Sequence, residues 1–230
     1  MPPDLAAFVV SGDECAWDDE VAAVLGQLEQ AFALLPDPNG AAHGAPHQRR
    51  TWFDTFDWRL YRAGLLLEYV AARRGGELLL ASIGDPHQGL ARQPVTGWRL
   101  TAPHPAADIP DGPLAARVSS VTFPRALLPV ATVAGAASVT RLLNADGKTV
   151  ARLVLESSAV VSADRPRLPP RLAITEIRGY PGQARRAAQI VAQVPGVQPA
   201  SDTVLADALV AVGRRPGDYS NKVDAPVSEA

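Results

Sequence analysis

Several apolar segments carry one or two charged side chains on one predicted strand face, and these residues could carry chemistry. Glu68 lies in one such segment, Arg152 and Glu156 share a face of a second, and Glu176 and Arg178 share a face of a third. Alternate residues of a β-strand point to the same face of a sheet. Arginine binds phosphate, and carboxylates bind hard divalent cations. The spacing therefore indicates a polar strand face whose charges could act together.

Two interpretations of this face remain open. In the first, it lies in solvent and its charges form ordinary cross-strand pairs. In the second, it lines a wide barrel, where the charges hold a polyanion or a metal. No residue is assigned a catalytic role. The candidate ligand-binding residues are Arg141, Arg152, Arg178 and Lys148, and the candidate metal ligands are Glu68, Glu156 and Glu176.

Composition excludes several function classes. The chain has 230 residues and a net charge of −2, so no whole-molecule basic field recruits nucleic acid or an anionic membrane. A single cysteine, Cys15, rules out an internal disulfide and a cysteine-built zinc site. The sequence shows neither a signal peptide nor the ~18 consecutive apolar residues of a membrane span. A cytoplasmic location is the resulting expectation.

The hydrophobic pattern predicts an α+β fold around an antiparallel sheet that is closed or strongly curved. A strand is expected at 5–10 and an amphipathic helix at 19–35, while 85–94 and 102–112 are expected to be loops. Ser201 and Asp202 are expected to cap the last helix. The other predicted strands are 51–53, 65–71, 77–80, 95–101, 130–143, 148–161 and 171–180, and the other predicted helices are 114–121, 183–194 and 203–212.

Local turn chemistry is expected at three places. Asp54, Thr55 and Asp57 should accept backbone hydrogen bonds at a corner between two strands. The Gly-Gly pair of residues 73–76 suits a reversal between strands, and the segment NADG at 144–147 suits a hairpin turn.

The corner carries a family resemblance. The segment WFDT at 52–55, followed by Leu60 and by GLLL at 64–67, resembles the second signature of the CYTH family, the triphosphate tunnel metalloenzymes. The hairpin at 144–147 and the segment ITEI at 174–177 also stand where that family has a hairpin and a late acidic strand. By order of elements the resemblance covers roughly residues 5–212.

The resemblance implies an eight-stranded antiparallel tunnel with flanking helices over residues 1–212. In active members, basic residues inside the tunnel grip a triphosphate, and glutamates hold Mg²⁺ or Mn²⁺. Residues 213–230 resemble the join to a following CHAD domain in bacterial two-domain proteins. The implied partners are therefore inorganic polyphosphate or a triphosphate-like ligand, and a CHAD domain.

The charged positions depart from the family pattern. The first strand, at 5–11, has neither the glutamates nor the lysine of E-x-E-x-K, and Glu68, Val70 and Ala81 stand where the pattern has basic residues. The leading hypothesis is a CYTH-like domain that binds polyphosphate or another phosphorylated ligand without catalysis. The alternatives are a metal-dependent triphosphatase with a rearranged site and a structural interaction module.

Overall fold

The computed structural model describes residues 4–37, 48–72 and 75–218. None of the helices in these ranges combines the length and apolar content needed to cross a membrane. The strands are β1 (Asp4–Val10), β2 (Ala33–Pro36), β3 (Gln48–Asp54), β4 (Leu65–Ala72), β5 (Gly75–Ser82), β6 (Asp85–Val95), β7 (Leu128–Leu143), β8 (Thr149–Val160), β9 (Arg171–Glu176) and β10 (Val197–Pro199). The α-helices are α1 (Trp17–Glu29), α2 (Arg59–Arg62), α3 (Pro113–Thr122), α4 (Pro181–Ala192) and α5 (Val204–Ala211).

All ten strands belong to one antiparallel sheet. Its order is β10, β1, β9, β8, β7, β3, β4, β5 and β6, and β2 pairs with the end of β7 that β3 leaves free. The α+β class is thus confirmed. The predicted closed tunnel of eight strands is not, because the sheet has ten strands and remains open within the described ranges. The tail at 213–230 lies largely outside those ranges.

The sheet is nevertheless strongly curved. Strands β9 and β4 are four places apart in the sheet, which in a flat sheet would separate them by about 19 Å. Arg171 of β9 and Glu68 of β4 nevertheless line the same cavity. We call the face that carries Arg50, Glu68, Glu156 and Arg171 the inner face, and the opposite face the outer face.

Two apolar clusters cover the outer face. The first packs α1 and α4 against the β1, β8 and β9 region, with Val24, Leu153 and Ile174 fully or almost fully buried. The second packs α3 against β4 and β5, mainly through leucine side chains. Because these clusters account for most of the core, the outer face holds the fold together and leaves the inner face for polar residues.

Helix α5 packs on the inner face. Leu205, Ala208 and Leu209 are buried there in a cluster that includes Trp52 and Val133. The helix begins after Thr203, whose hydroxyl accepts from the Ala206 amide at 3.2 Å. The expected caps, Ser201 and Asp202, were therefore placed too early by one or two residues.

Several predictions are confirmed. β1, the β7–β8 hairpin, α3 and α4 occur close to their expected positions. At the corner, the Asp54 carboxylate accepts from the amides of Thr55, Leu60 and Tyr61 at 2.7–2.9 Å. The reversal predicted between β4 and β5 falls partly on residues 73–74, outside the described ranges.

The predicted helix at 19–35 is wrong at its end. Helix α1 ends at Glu29, and the chain then forms β2, in which Leu34 and Leu35 pair with Leu142 and Arg141. A short apolar run suits a buried helix turn and a strand equally well. The backbone of β7 decides between them, since it offers unpaired hydrogen-bonding groups beyond the end of β3.

Two further predictions between residues 85 and 101 are wrong. The expected loop at 85–94 is strand β6, and the expected strand at 95–101 has only Val95 in a strand. Proline is tolerated on an edge strand, which explains how Pro86 and Pro94 fit into β6. Trp98, which favoured a strand in the sequence, instead stacks on His104 with ring centroids 3.9 Å apart.

Candidate functional site

Arg50 stands at the centre of the inner face. Strand β3 lies between β7 and β4, and Arg50 is opposite Val133 on one side and Val70 on the other. Its guanidinium contacts Glu68 of β4 through Nε and through Nη2, the second at 3.3 Å. Its Nη1 donates to Glu156 Oε1 of β8 at 2.8 Å. Arg50 thus bridges two carboxylates that lie on opposite sides of it.

The bridge keeps Arg50 charged. Burial removes water from the guanidinium and by itself would lower its pKa. The negative charges of Glu68 and Glu156 and their hydrogen bonds outweigh that effect, so the pKa of Arg50 is raised above its ordinary value. The guanidinium also lies over the Trp52 ring, 5.1 Å from its centroid. Arg50 is therefore a fixed cation held by two anions and one aromatic ring.

A second inner-face arginine holds α5. Arg171 Nη2 donates to Asp207 Oδ2 at 2.6 Å and to the Asp202 carbonyl at 2.8 Å. Arg171 lies opposite Glu156 in the β8–β9 register, so its side chain shares the face of the Arg50 bridge. The ion pair links the sheet to the helix that partly covers it.

These residues surround two adjoining cavities. The larger, about 270 Å³, lies between the Arg50 bridge and the segment that leads into α5. The smaller, about 200 Å³, shares Arg50 and Arg171 and continues past Val154 and Ala173. Apolar side chains form much of the wall. The charged residues that line one or both cavities are Arg50, Glu68, Glu156, Arg171 and Asp202.

Two of the predicted ligand-binding residues face each other. Arg141 of β7 and Arg152 of β8 are direct cross-strand partners, two register positions from the pair Val139 and Val154. Arg152 Nε lies 3.4 Å from Asp37 Oδ2. Arg141 Nε is buried and has no hydrogen-bond partner among the described residues. Like charges directly opposite each other destabilise a sheet, and the single carboxylate of Asp37 offsets only one of these two positive charges.

The structure separates the other candidates from this face. Glu176 follows Leu172 and Ile174 along the outer face, and its cross-strand partner is Ala151. Strand β9 ends at Glu176, which leaves Arg178 exposed in the following turn. Lys148 is exposed at the end of the hairpin turn, where its amide donates to Asn144 Oδ1.

The predicted metal ligands do not form one set. Glu68 and Glu156 meet at Arg50, and Glu176 lies on the opposite face. No group of three or more His, Cys, Asp or Glu residues within the described ranges could hold a metal ion. The two carboxylates that do meet already accept hydrogen bonds from a guanidinium. This donor set does not fit Mg²⁺ or Mn²⁺, which need several free oxygen ligands.

Three residues of the site are not among the candidates predicted from the sequence. Arg50 lies just outside the strand predicted at 51–53, although it alternates with Trp52 and would face Glu68 in an antiparallel pair. Arg171 was passed over because the mixed face of its strand was taken to be the one with Glu176. Asp207 gives no signal in the sequence, since its role depends on where α5 packs.

Comparison with solved structures identifies proteins of similar shape. HpAC1 from Hippeastrum, a candidate adenylyl cyclase with a dominant triphosphatase activity, aligns with a TM-score of 0.51 and 13% identity, covering 95% of this chain and 100% of that chain. A candidate adenylate cyclase from Bacillus halodurans aligns with a TM-score of 0.49 and 15% identity, covering 88% of this chain and 96% of that chain.

No family model and no curated protein sequence matches the chain. At 13% identity the similarity to HpAC1 concerns the fold and leaves the function of this chain to its own residues. The resemblance predicted from residues 52–67 is confirmed at that level: the chain shares the fold of HpAC1.

Proposed function

We propose that the inner face binds a phosphorylated ligand of the triphosphate or polyphosphate type and does not hydrolyse it. The observation that carries the proposal is the pairing of Arg141 with Arg152 in one register position, with Arg141 Nε buried and without a hydrogen-bond partner among the described residues. A phosphate oxygen between the two guanidinium groups would satisfy that donor and remove the like-charge repulsion.

Local charge favours this end of the inner face. Arg141, Arg152 and Asp37 sum to a formal charge of +1, whereas Arg50, Glu68 and Glu156 sum to −1. An anion is therefore attracted to the Arg141 end and repelled at the Arg50 end. The 200 Å³ cavity is lined by Val154, which lies two residues from Arg152 on the same face of β8, and by Ala173, the cross-strand partner of Val154.

We expect no hydrolysis, because none of the predicted carboxylates is free to act on the inner face. Hydrolysis of a phosphoanhydride needs a base or metal that positions the attacking water. Glu68 and Glu156 both accept hydrogen bonds from Arg50, and Glu176 lies on the outer face. None of the three predicted carboxylates is thus placed to activate water beside the Arg141–Arg152 pair.

Titration calorimetry with tripolyphosphate at low salt tests the binding. We expect wild-type protein to bind, and Arg141→Gln and Arg152→Gln each to weaken binding about tenfold, which corresponds to roughly 1.4 kcal/mol. Arg178→Gln is the matched control, because Arg178 is exposed in the turn that follows β9. Equal affinity in all four proteins would refute the assigned site.

The second candidate function is a metal-dependent triphosphatase. HpAC1 shares the fold and has triphosphatase activity, and Glu68 and Glu156 do converge on one point of the inner face. Release of phosphate from tripolyphosphate with Mg²⁺ or Mn²⁺, abolished by Glu156→Gln, would establish this function and overturn the non-catalytic proposal.

The third candidate function is a structural module that docks a CHAD-type domain, with α5 as the docking helix. Val210 is 65% exposed and offers such a contact, but Leu205 and Leu209 already pack on the inner face. This function predicts no thermal shift with tripolyphosphate. A shift at low salt that Arg141→Gln removes would favour ligand binding instead.

A further inference from the structure

We propose that the Arg50 guanidinium is the resident cation of the inner face, taking the place that a divalent metal would hold between Glu68 and Glu156. Ligand binding at the inner face then needs no metal. Removal of the guanidinium would leave a carboxylate pair that takes up a divalent cation. The first consequence rests on the proposed function, and the second stands without it.

The geometry of the bridge supports this role. Glu68 and Glu156 belong to β4 and β8, which are three places apart in the sheet, with β7 and β3 between them. In the curved sheet both side chains reach one guanidinium, that of Arg50 on β3. Arg50 offers two nitrogens to Glu68 and a third to Glu156. The two carboxylates are thus gathered around one positive centre from different parts of the chain.

The low exposure of the bridge explains why Glu68 and Glu156 need a cation between them. The side chains of Arg50, Glu68 and Glu156 are 21%, 11% and 30% exposed, so water screens their charges only in part. Without Arg50, the cation nearest to Glu156 would be its cross-strand neighbour Arg171, which already binds Asp207, so the two carboxylates would bind a proton or another cation. Arg50 supplies one charge permanently, because a guanidinium does not lose its proton in proteins.

Space beside the bridge could accept a replacement ion. A cavity of about 40 Å³ lies against Arg50, Glu156 and Ser158, with Gly135 in its wall. Removing the Arg50 side chain would enlarge this space. Carboxylates, a serine hydroxyl and water oxygens are all suitable ligands for Mn²⁺ or Mg²⁺.

Another paired arginine of the inner face, Arg171, does not occupy a metal-like position. It binds one carboxylate, Asp207, and one carbonyl, that of Asp202. A single carboxylate with one carbonyl is a poor divalent site, and loss of Arg171 would release α5 instead. The metal-like position on the inner face is therefore that of Arg50.

Direct Mn²⁺ binding, without any phosphate present, tests the proposal. In electron paramagnetic resonance titrations, we expect wild-type protein to leave Mn²⁺ free and Arg50→Met to bind one ion with a dissociation constant on the order of 10⁻⁴ M. The matched control is the triple variant Arg50→Met/Glu68→Gln/Glu156→Gln, which should bind none. Failure of Arg50→Met to bind Mn²⁺ would overturn the proposal.

Thermal unfolding gives a second readout. We expect Arg50→Met to lower the Tm by about 5–10 °C, since two partly buried carboxylates lose their partner. Mn²⁺ should recover part of this loss in Arg50→Met and none in the triple variant. If Arg50→Met does not fold, wild-type protein decides: Mn²⁺ binding that Glu68→Gln/Glu156→Gln removes would refute a resident cation.

Ligand binding tests the remaining consequence. Tripolyphosphate should bind wild-type protein with the same affinity, within about twofold, in EDTA and in low Mn²⁺ after correction for the complex that Mn²⁺ forms with free tripolyphosphate. A tenfold gain with Mn²⁺ would contradict the proposal. No binding under either condition would refute the proposed function alone, because the Mn²⁺ titrations of Arg50→Met are made without phosphate.

Discussion

Arg171 of β9 and Asp207 of α5 form an ion pair of 2.6 Å that ties the helix to the inner face. The two side chains are only 15% and 21% exposed, so the pair is largely shielded from water. The Asp202 carbonyl accepts from the same guanidinium nitrogen. One arginine therefore fixes both the helix and the segment that leads into it.

Asp207→Ala should destabilise the protein by about 1–3 kcal/mol, because Arg171 keeps its charge and loses the carboxylate. Urea denaturation measures the loss, and hydrogen exchange should show faster opening of α5. Asp202→Asn is the matched control, since it retains the backbone carbonyl that Arg171 binds. A similar loss in both variants would argue against the ion pair as the fastening contact.

Leu209→Ala should destabilise the protein by about 2–5 kcal/mol, because Leu209 is fully buried between α5 and the inner face. Val210→Ala, on the exposed side of the same helix, should change the free energy of unfolding by less than about 0.5 kcal/mol. Thermal or urea denaturation of both variants makes the comparison. A small effect of Leu209→Ala would mean that α5 contributes little to the folded state.

Gly135→Ala and Gly26→Ala should change stability in opposite directions. A Cβ at Gly135 would lie 2.5 Å from the Ser157 carbonyl oxygen and 2.8 Å from Ser158 Cα, so the variant should lose about 1–3 kcal/mol. A Cβ at Gly26, within α1, meets nothing within 4 Å, so that variant should gain about 0.5–1 kcal/mol. A tolerated Gly135→Ala would show that β7 and β8 can separate at that point.

Asp54→Asn should lower stability by about 1–3 kcal/mol, since an amide cannot accept all three backbone N–H groups that the carboxylate binds. Urea denaturation at neutral pH measures this loss. Thr55→Ser, which keeps the hydroxyl that accepts from the Arg59 amide, is a mild change at the same corner for comparison.

The pH dependence of this difference tests the state of Asp54. Burial raises the pKa of Asp54 above its ordinary value of 3.8, against the lowering effect of its hydrogen bonds. The folded state then holds the proton more tightly than the unfolded state. The contribution of Asp54 should fall as the pH rises from below 3.8 through the raised pKa. The stability advantage of wild type over Asp54→Asn should therefore shrink with rising pH, and growth of that advantage would contradict the raised pKa.

Local sequence predicts the elements that depend on neighbours in the chain. The hairpin at 144–147 forms because Asn144 Oδ1 accepts from the Asp146 and Lys148 amides, and the Asp54 corner forms because three amides lie within seven residues of it. Strand β6 and the end of α1 could not be predicted in this way. Their conformation is decided by the backbones of β5 and β7, which lie elsewhere in the sequence.

The residues of the candidate site were likewise predictable only where local sequence decides their position. The mixed strand faces predicted around Glu68, Arg141, Arg152 and Glu156 are one face in the structure, since all four residues lie on the inner face. The choice of face for β9 depended on where α4 packs, and this reversed the roles of Glu176 and Arg171. The contact of Arg50 with Glu156 could not be predicted from local sequence, because β3 and β8 are two places apart in the sheet.

The edge strand β6 carries a protection against self-association. An open sheet edge offers unpaired backbone groups to a second chain, which risks aggregation. Irregular register at two points opposite Leu80, Ala81 and Ser82 twists β6 against its neighbour. Pro86 and Pro94 remove N–H donors that an added strand would need. The sheet can therefore keep an open edge at β6 without pairing with the same edge of a second copy.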